Sequence, residues 1–448
     1  MDKLQIGILS ILVVMLLIQT GMHIAVALML TSFAGVWMLR DYSTAGKLLA
    51  SSATTSIAND IFAVIPLFVL MGLVVSATGM GRDIFDVTAR FTQKRKGGLP
   101  IATVLANAVF AACTGTSIAS ASVFTKVAAP EMIRHGYTPA FSLGVVAGSS
   151  VLGMLIPPSL LMIIFGIVAN VSIGDLFLSG VIPGLLLSGY FIVSILICIF
   201  FFPKFVFSDG VGKAELSLEQ LGIESWHQPL LKVVPIGFLV SSVVGGLYFG
   251  FFTPTEAGAA GALTAIILGL FRRELKLADF GELLLETGRV TCAICFILMS
   301  ASIYSQMLTM SGLPYAVSQW LVQSNFDFIW LLFLYLITVL VLGCFLDSLS
   351  IMLILLPFVI PLFDGFGTNL IWFGIITIVA IEIGLLTPPL GMSVFVVKAS
   401  VKEIAISTWG IFKGTFPMTL AMSLFLLHIV FFPYLSIALL KSSSWSWW

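Results

Sequence analysis

Charge is what this sequence is short of. Only 9% of its 448 residues are Asp, Glu, Lys or Arg, and 21 acids balance 21 bases, against 59% hydrophobic residues. A mean hydropathy of +1.13 takes the chain out of the range of soluble domains and into a bilayer. A net charge of zero leaves no footprint for nucleic acid. Histidine is almost missing: His23, His135, His227 and His428 are dispersed, and no HExxH occurs. GxxxxGK[ST] is absent as well, so ATP hydrolysis within the chain is not expected. Cys113, Cys198, Cys292, Cys295 and Cys344 are scattered through apolar runs. Cys292 and Cys295 form a CxxC, but without a second pair or a nearby His they read as packing residues, not a metal or redox centre. The apolar run after Asp2 and Lys3 merges into a second one and lacks a small-residue cleavage pattern, so it reads as a retained span.

What the chain has in quantity is apolar runs of bilayer length. Unbroken spans are expected near 4–20, 22–39, 57–80, 178–202, 233–252, 256–271, 290–312 and 414–433. Two more, 141–169 and 370–397, each contain a Pro-Pro pair: Pro157-Pro158 and Pro388-Pro389. Consecutive prolines remove two backbone donors and clash with the preceding turn, so neither run can be one helix. In lipid such a break is tolerated where protein or a water-filled cavity satisfies the freed carbonyls. Paired broken helices in corresponding positions of two halves point to the binding site of a secondary transporter. Stretches 99–130 and 328–361 are too long for one span and too short for two, which suits re-entrant hairpins.

Shifting the sequence by 231 residues superposes Cys113 on Cys344, Ser117 on Ser348, Pro130 on Pro361, Gly136 on Gly367, Gly153 on Gly384, and both proline pairs. Five of these seven identities are Gly or Pro at expected breaks and turns, so the chain reads as an internal repeat. The 91–98 loop, FTQKRKGG, carries three bases, and its counterpart 322–329, VQSNFDFI, carries none. Basic loops stay in the cytoplasm, so the two copies are expected in opposite orientation. Spans counted from a cytoplasmic 82–98 put Lys204, Lys213, Lys232, Arg272, Arg273, Lys276 and Arg289, and then Lys398, Lys402 and Lys413, on the same face. Arg40 and Lys47 violate the count, which makes 39–56 a candidate interfacial helix. The stretch 203–232, with Asp209, Glu215, Glu219 and Glu224, reads as a cytoplasmic linker between halves. The expected fold class is an all-α polytopic membrane protein, an inverted repeat of about five spans plus one re-entrant hairpin per half.

Hairpin tips and broken helices bring carbonyls and helix N-termini to mid-membrane, where carbonyls suit a desolvated cation and N-termini an anion. The hydroxyls of Thr114, Thr116, Ser117, Ser120 and Ser122 add hard oxygen donors of the kind Na⁺ prefers, although small hydroxyl residues also serve helix packing. Asp347 is a carboxylate at membrane depth, functional by default, with no base near it in sequence. Glu382 is a second acid, for which a structural role and ligation are both open. Its repeat partner is Val151, so its role is expected on one side only. Thr253-Pro254-Thr255-Glu256 has the spacing of a capping box.

The stretches GYTPAFSLGVVAGSSVLGMLIPPSLLMIIFG, VSIGDLFLSGVIPGLL, TPTEAGAAGA and EIGLLTPPLGMSVFVV closely resemble the large membrane subunit of the tripartite ATP-independent periplasmic (TRAP) transporters, over nearly the whole chain. The resemblance implies two partners, a small four-helix membrane subunit and a periplasmic substrate-binding protein, besides the bilayer of a bacterial inner membrane. It implies Na⁺-driven uptake of an organic acid, C4-dicarboxylate or sialic acid, by an elevator motion. Scaffold helices are then expected in 1–56 and 233–289, and transport-domain parts in 57–202 and 290–433, with 434–448 as a C-terminal tail. The family's Na⁺ sites carry over to Thr116, Ser117, Gly153, Asp347, Ser348, Gly384 and Thr387, with Thr114, Ser150 and Glu382 as further candidates. Substrate contacts are expected at Ser117, Ser159, Ser348 and Thr387. The tail KSSSWSWW has no counterpart in the resemblance. Rival classes are a carboxylate carrier without a binding protein, a channel, and an intramembrane aspartyl hydrolase, which needs a second Asp to face Asp347; apart from Asp60, near a membrane face, none lies within an apolar run.

Overall fold

The computed structural model describes residues 2–58, 60–92, 96–208, 227–324, 327–401, 404 and 406–440. Among these the chain is helical, with one isolated antiparallel bridge between Tyr137 and Phe207. The first half runs α1 (Lys3–Gln19), α2 (Ile24–Leu39), α3 (Tyr42–Ala58), a 3₁₀ turn (Asp60–Ala63), α4 (Val64–Ala77), α5 (Met80–Thr92), α6 (Gly98–Thr114), α7 (Ser117–Arg134), α8 (Pro139–Ser150), α9 (Leu152–Leu155), α10 (Leu160–Ala169) and α11 (Ile173–Phe201). A short α12 (Pro203–Val206) leads out of it. The second half runs α13 (His227–Tyr248), α14 (Pro254–Phe271), α15 (Leu277–Ser311), α16 (Leu313–Gln323), α17 (Phe328–Gly343), α18 (Ser348–Asp364), α19 (Leu370–Leu386), α20 (Met392–Ser400), α21 (Thr408–Phe431) and α22 (Tyr434–Ile437). The protein is an all-α polytopic membrane protein.

The 231-residue offset holds well beyond the stretch that revealed it. It lays α1 on α13, α2 on α14, α5 on α16, the pair α6 and α7 on α17 and α18, α8 with α9 on α19, α10 on α20, and α11 on α21. One place departs. Where the first half has α3, a 3₁₀ turn and α4, the second has a single 35-residue helix, α15. Pro66 lies in the first turn of α4, where its missing N–H costs nothing, so a helix can start there without losing a hydrogen bond. Its repeat partner in α15 is Ile297, which keeps its N–H.

Four helices, Ile173–Phe201, Pro254–Phe271, Asp279–Ser311 and Thr408–Phe431, are each long and apolar enough to cross a bilayer alone. Two pairs are bent, Ile61–Ala77 with Met80–Thr92 by 65° and Pro139–Leu155 with Leu160–Ala169 by 41°. The first bend corrects an expectation: 82–98 is not simply a loop, because α5 is helical to Thr92. Hydropathy passes over α5 because its apolar residues are interleaved with charges, yet one face is buried and takes Asp83 and Arg90 with it. Arg272, at the end of α14, pairs with Asp83. Likewise 272–289 is largely the start of α15. Arg40 is the C-cap of α2 and Lys47 lies in α3, and the capping box forms: Glu256 N donates to Thr253 Oγ1 at 3.3 Å and Thr253 N to the Glu256 carboxylate at 2.8 Å. Lys94, Arg95, Asp209, Lys213, Glu215, Glu219, Glu224, Lys402 and the tail 441–448 lie outside the described residues, as do the side chains of Asp60 and Lys232.

The halves interlock. Helix α8 of the first half crosses α21 of the second at Gly144 and Gly414, backbone against backbone, with no room for a Cβ on either side. Nearby, Ser194 Oγ of α11 donates to Pro417 O at 2.9 Å, and Tyr190 meets His428 Nδ1 at 2.7 Å.

Candidate functional site at the hairpin tips

Helices α6 and α7 form one hairpin, α17 and α18 the other, and each tip meets the break of a neighbouring helix. In the first half Leu160 N, at the start of α10, donates to Gly115 O at 3.1 Å. In the second, Leu390 N donates to Cys344 O at 3.2 Å. These bonds satisfy carbonyls that a helix would otherwise have paired, as membrane depth demands. Both Pro-Pro bonds are cis.

The repeat glycines explain how the backbones come so close. A Cβ on Gly153 would stand 2.6 Å from Thr116 O and 3.1 Å from Ser117 N. One on Gly384 would stand 2.6 Å from Gly343 Cα and 3.1 Å from Leu340 O. Each broken helix therefore touches its re-entrant hairpin main chain to main chain.

Most candidate hydroxyls are already committed as donors. Thr114 Oγ1 donates to Phe110 O at 3.1 Å, Ser150 Oγ to Ala147 O at 2.8 Å, Thr387 Oγ1 to Ile383 O at 2.7 Å, and Ser159 Oγ to Met154 O while capping α10. A hydroxyl that gives its proton to a carbonyl offers only lone pairs to anything else. Such oxygens suit a cation better than a carboxylate. Ser150 bonds within its own helix, whereas Thr116, Ser117, Gly153 and Ser159 gather at the first break and Asp347, Ser348 and Gly384 at the second hairpin and its neighbouring helix.

Thr116 and Asp347 are equivalent N-caps, of α7 and α18. Thr116 makes no side-chain capping bond, but Asp347 accepts from Ser350 N at 3.2 Å and from the Ser350 hydroxyl. Asp347 is half-buried, and no Lys, Arg or His pairs with it among the described residues.

Glu382, whose repeat partner is Val151, faces both hairpins. Its carboxylate, on α19, is fully buried and accepts from Ser348 Oγ at 3.1 Å. The Ser117 hydroxyl, from the other hairpin, faces the same carboxylate without closing a full hydrogen bond, so Oε2 is buried and unpartnered. The sequence offset placed Val151 opposite Glu382 and concealed that both repeats converge on it. Asn107 was also missed: its Nδ2 donates to Ser149 Oγ at 2.7 Å and its Oδ1 accepts from Ser120, fastening both arms of the first hairpin to α8. An Asn inside an apolar run was the available signal.

Between α4 and the first tip lies a cavity of about 10 Å³ lined by Phe68, Met71, Thr114, Thr116, Pro158 and Leu160, among others. That is room for about one water and no organic acid. Beside it Gly72 on α4 packs against the hairpin main chain, for a Cβ there would stand 2.7 Å from Thr114 O.

Comparison with known proteins places this architecture. Residues 11–435 match the family model described as "Tripartite ATP-independent periplasmic transporter, DctM component". The chain is 32% identical over 376 residues to the C4-dicarboxylate TRAP transporter large permease protein DctM of Pseudomonas aeruginosa, covering 84% of this chain and 85% of that one. It is 29% identical to the sialic acid TRAP transporter large permease protein SiaM of Vibrio cholerae, covering 94% and 96%. Among solved structures, the Alcanivorax borkumensis YdaH transporter shares the fold with a TM-score of 0.59, at 14% identity over 87% of this chain and 88% of that one.

Proposed function

Because this chain belongs to the DctM component family, the large permease subunits of TRAP transporters, we propose that it imports a small organic acid through a bacterial inner membrane, driven by Na⁺. It works with a small four-helix membrane subunit and takes its substrate from a periplasmic binding protein. C4-dicarboxylates and sialic acids are the substrate types to test first, since relatives at about the same similarity are named for them. Transport proceeds by an elevator motion of the body that carries both hairpins.

The observation that carries the sodium reading is the state of the hydroxyls around the breaks. Thr114, Ser159 and Thr387 each give their proton to a main-chain carbonyl, which leaves these oxygens only lone pairs to offer, a set for a hard cation. The substrate's carboxylate is left to the backbone N–H groups at the half-helix N-termini.

The test is uptake into proteoliposomes holding both membrane subunits, with the cognate binding protein outside. Uptake should require Na⁺, rise steeply with its concentration and collapse with a sodium ionophore. Full uptake in potassium under a proton gradient alone overturns the reading. Orientation is checked by cysteines introduced at Lys94 and Ser324: labelling of the first from the cytoplasm only and of the second from the periplasm only is expected.

A further inference from the structure

Helices α4 and α5 meet at Gly79, which takes a left-handed φ of 63° with open space around it, and the chain turns there by 65°. The two sides of the turn are seated on different parts of the molecule. Helix α4 lies on α14: a Cβ on Gly258 would stand 3.0 Å from Leu67 Cβ, and one on Gly261 2.5 Å from Met71 Sδ. Helix α5 lies on the first hairpin, for a Cβ on Gly81 would stand 2.7 Å from Val123 Cγ1 of α7 and 3.2 Å from Phe110 Cε2 of α6.

An ion pair spans the turn. Arg272, the C-cap of α14, donates to the carboxylate of Asp83 in the first turn of α5. Each charge stands at the helix end whose dipole favours it. An exposed ion pair holds little, but the side chains of Asp83 and Arg272 keep only 8% and 18% exposure. Arg272 also has a partner in reserve. Its Nη2 donates at 3.1 Å to Glu274, an exposed acid that stays with it when Asp83 withdraws, and its Nη1 is buried with no hydrogen bond. The next residue, Arg273, holds a left-handed φ of 56°, a conformation that favours glycine and that other residues adopt where their surroundings impose it. The second half has the glycine without the brace. Gly312, with φ 73°, joins α15 to α16 in open space, but Pro314 and Asp41 stand at the registers of Asp83 and Arg272.

We propose that Arg272 and Asp83 form a strut across the Gly79 hinge: positioning residues that hold the first hairpin at a set angle to α4 and α14, and that part when the hairpin body moves. The proposal rests on the elevator reading and deepens it. The boundary of the moving body falls at Gly79, not near 57, because α4 stays with α14 while α5 goes with the hairpin. Of the two glycine hinges only the first is braced, so the two arms of the body are released in different ways. Glu274 keeps Arg272 paired while the strut is open.

The experiment uses the complete membrane complex without the five native cysteines, and a reducible bifunctional thiosulfonate bridges one of two introduced cysteine pairs. The first pair, Asp83→Cys with Arg272→Cys, replaces the strut by a fixed one. The second, Val69→Cys with Leu160→Cys, ties α4 to the first break across the cavity that both residues line. Uptake should stop when either bridge closes and return when it is reduced. Uptake that survives the first bridge and stops with the second overturns the strut and leaves the elevator reading intact. Uptake that survives both defeats the elevator reading and the strut with it. Charge variants probe the joint without a bridge. Asp83→Asn and Arg272→Gln should each lower the maximal uptake rate on the order of tenfold, the scale of a contacting pair, and the double variant no further. Na⁺ and substrate midpoints should stay where they are, which a general loss of structure at the site would not allow. Additive losses in the double variant, or midpoints that move while the maximal rate holds, overturn the strut. Should the first cysteine pair fail to assemble, these variants decide.

Discussion

The two hairpin tips descend from one pattern and have been finished differently. In the first half only Gly115 and Thr116 lie between the helices, Gly115 takes a left-handed φ of 65°, and the break at 156–159 is packed under α4. In the second, residues 344–347 make a longer tip, an acid caps α18, and Pro388, Pro389 and Leu390 stand exposed. Ser159 is 0% exposed and its repeat partner Leu390 is 49% exposed. The cause lies in the one place where the repeat fails. Gly72 of α4, which follows the 3₁₀ turn, lies against Thr114 O, and the uninterrupted α15 has Ile303 in place of glycine at that register. Repetition supplies two equivalent hairpin tips, and the first is the one that α4 covers.

The comparison is broken most directly at the glycines that both halves share. Gly153→Ala and Gly384→Ala each force a Cβ against main chain at 2.6 Å, and neither neighbour can swing away. Each should cost about 1–3 kcal/mol, as overpacking does, and abolish uptake. Thermal melting of the purified complex measures it, and a tolerated Gly384→Ala beside a crippling Gly153→Ala means the two approaches are not equivalent.

The caps should separate the tips next. Asp347→Ala removes a capping bond and should destabilise by about 1 kcal/mol, while Thr116→Ala, which removes none, should be close to neutral. Asp347→Asn caps as well as Asp, so it should melt like the wild type while losing Na⁺-dependent stabilisation. A destabilised Asn variant that still responds to sodium makes Asp347 a structural residue.

A smaller effect is expected at the cover. Gly72→Ala should lower stability by up to about 1–3 kcal/mol, less if α4 can shift as a unit. In a chain without the five native cysteines, Leu390→Cys should react quickly with a water-soluble thiol reagent and Ser159→Cys slowly. Adding Gly72→Ala should speed the slow site and leave the fast one unchanged. Equal rates at both sites in the parent dispose of the asymmetry.

Much of this architecture was legible because its signals are local. Proline pairs break helices wherever they occur, apolar length is counted along the chain, and the 231-residue offset found from Gly and Pro aligns nearly every helix. The reading failed where partners come from different elements. Amphipathic α5 hid behind its charges, Asn107 gave no hint of Ser149 and Ser120, and the meeting of Ser117 with Glu382 joins residues of opposite halves. Asp347 drew attention by its position in an apolar run, and the structure shows it capping a helix while Glu382 is the more enclosed carboxyl group.

The crossing of α8 and α21 bears on the birth of the molecule as well as its form. Gly144 and Gly414 are 270 residues apart in the chain. At synthesis rates of about 5–20 residues per second, the glycine face of α8 waits on the order of ten seconds or more in the membrane before its partner is made. The first repeat can insert but cannot close during that interval, and contacts so distant in sequence form slowly even once available. A ribosome stalled between the halves leaves a half-molecule with a bare backbone seam, the kind of surface that a membrane chaperone or protease is placed to find.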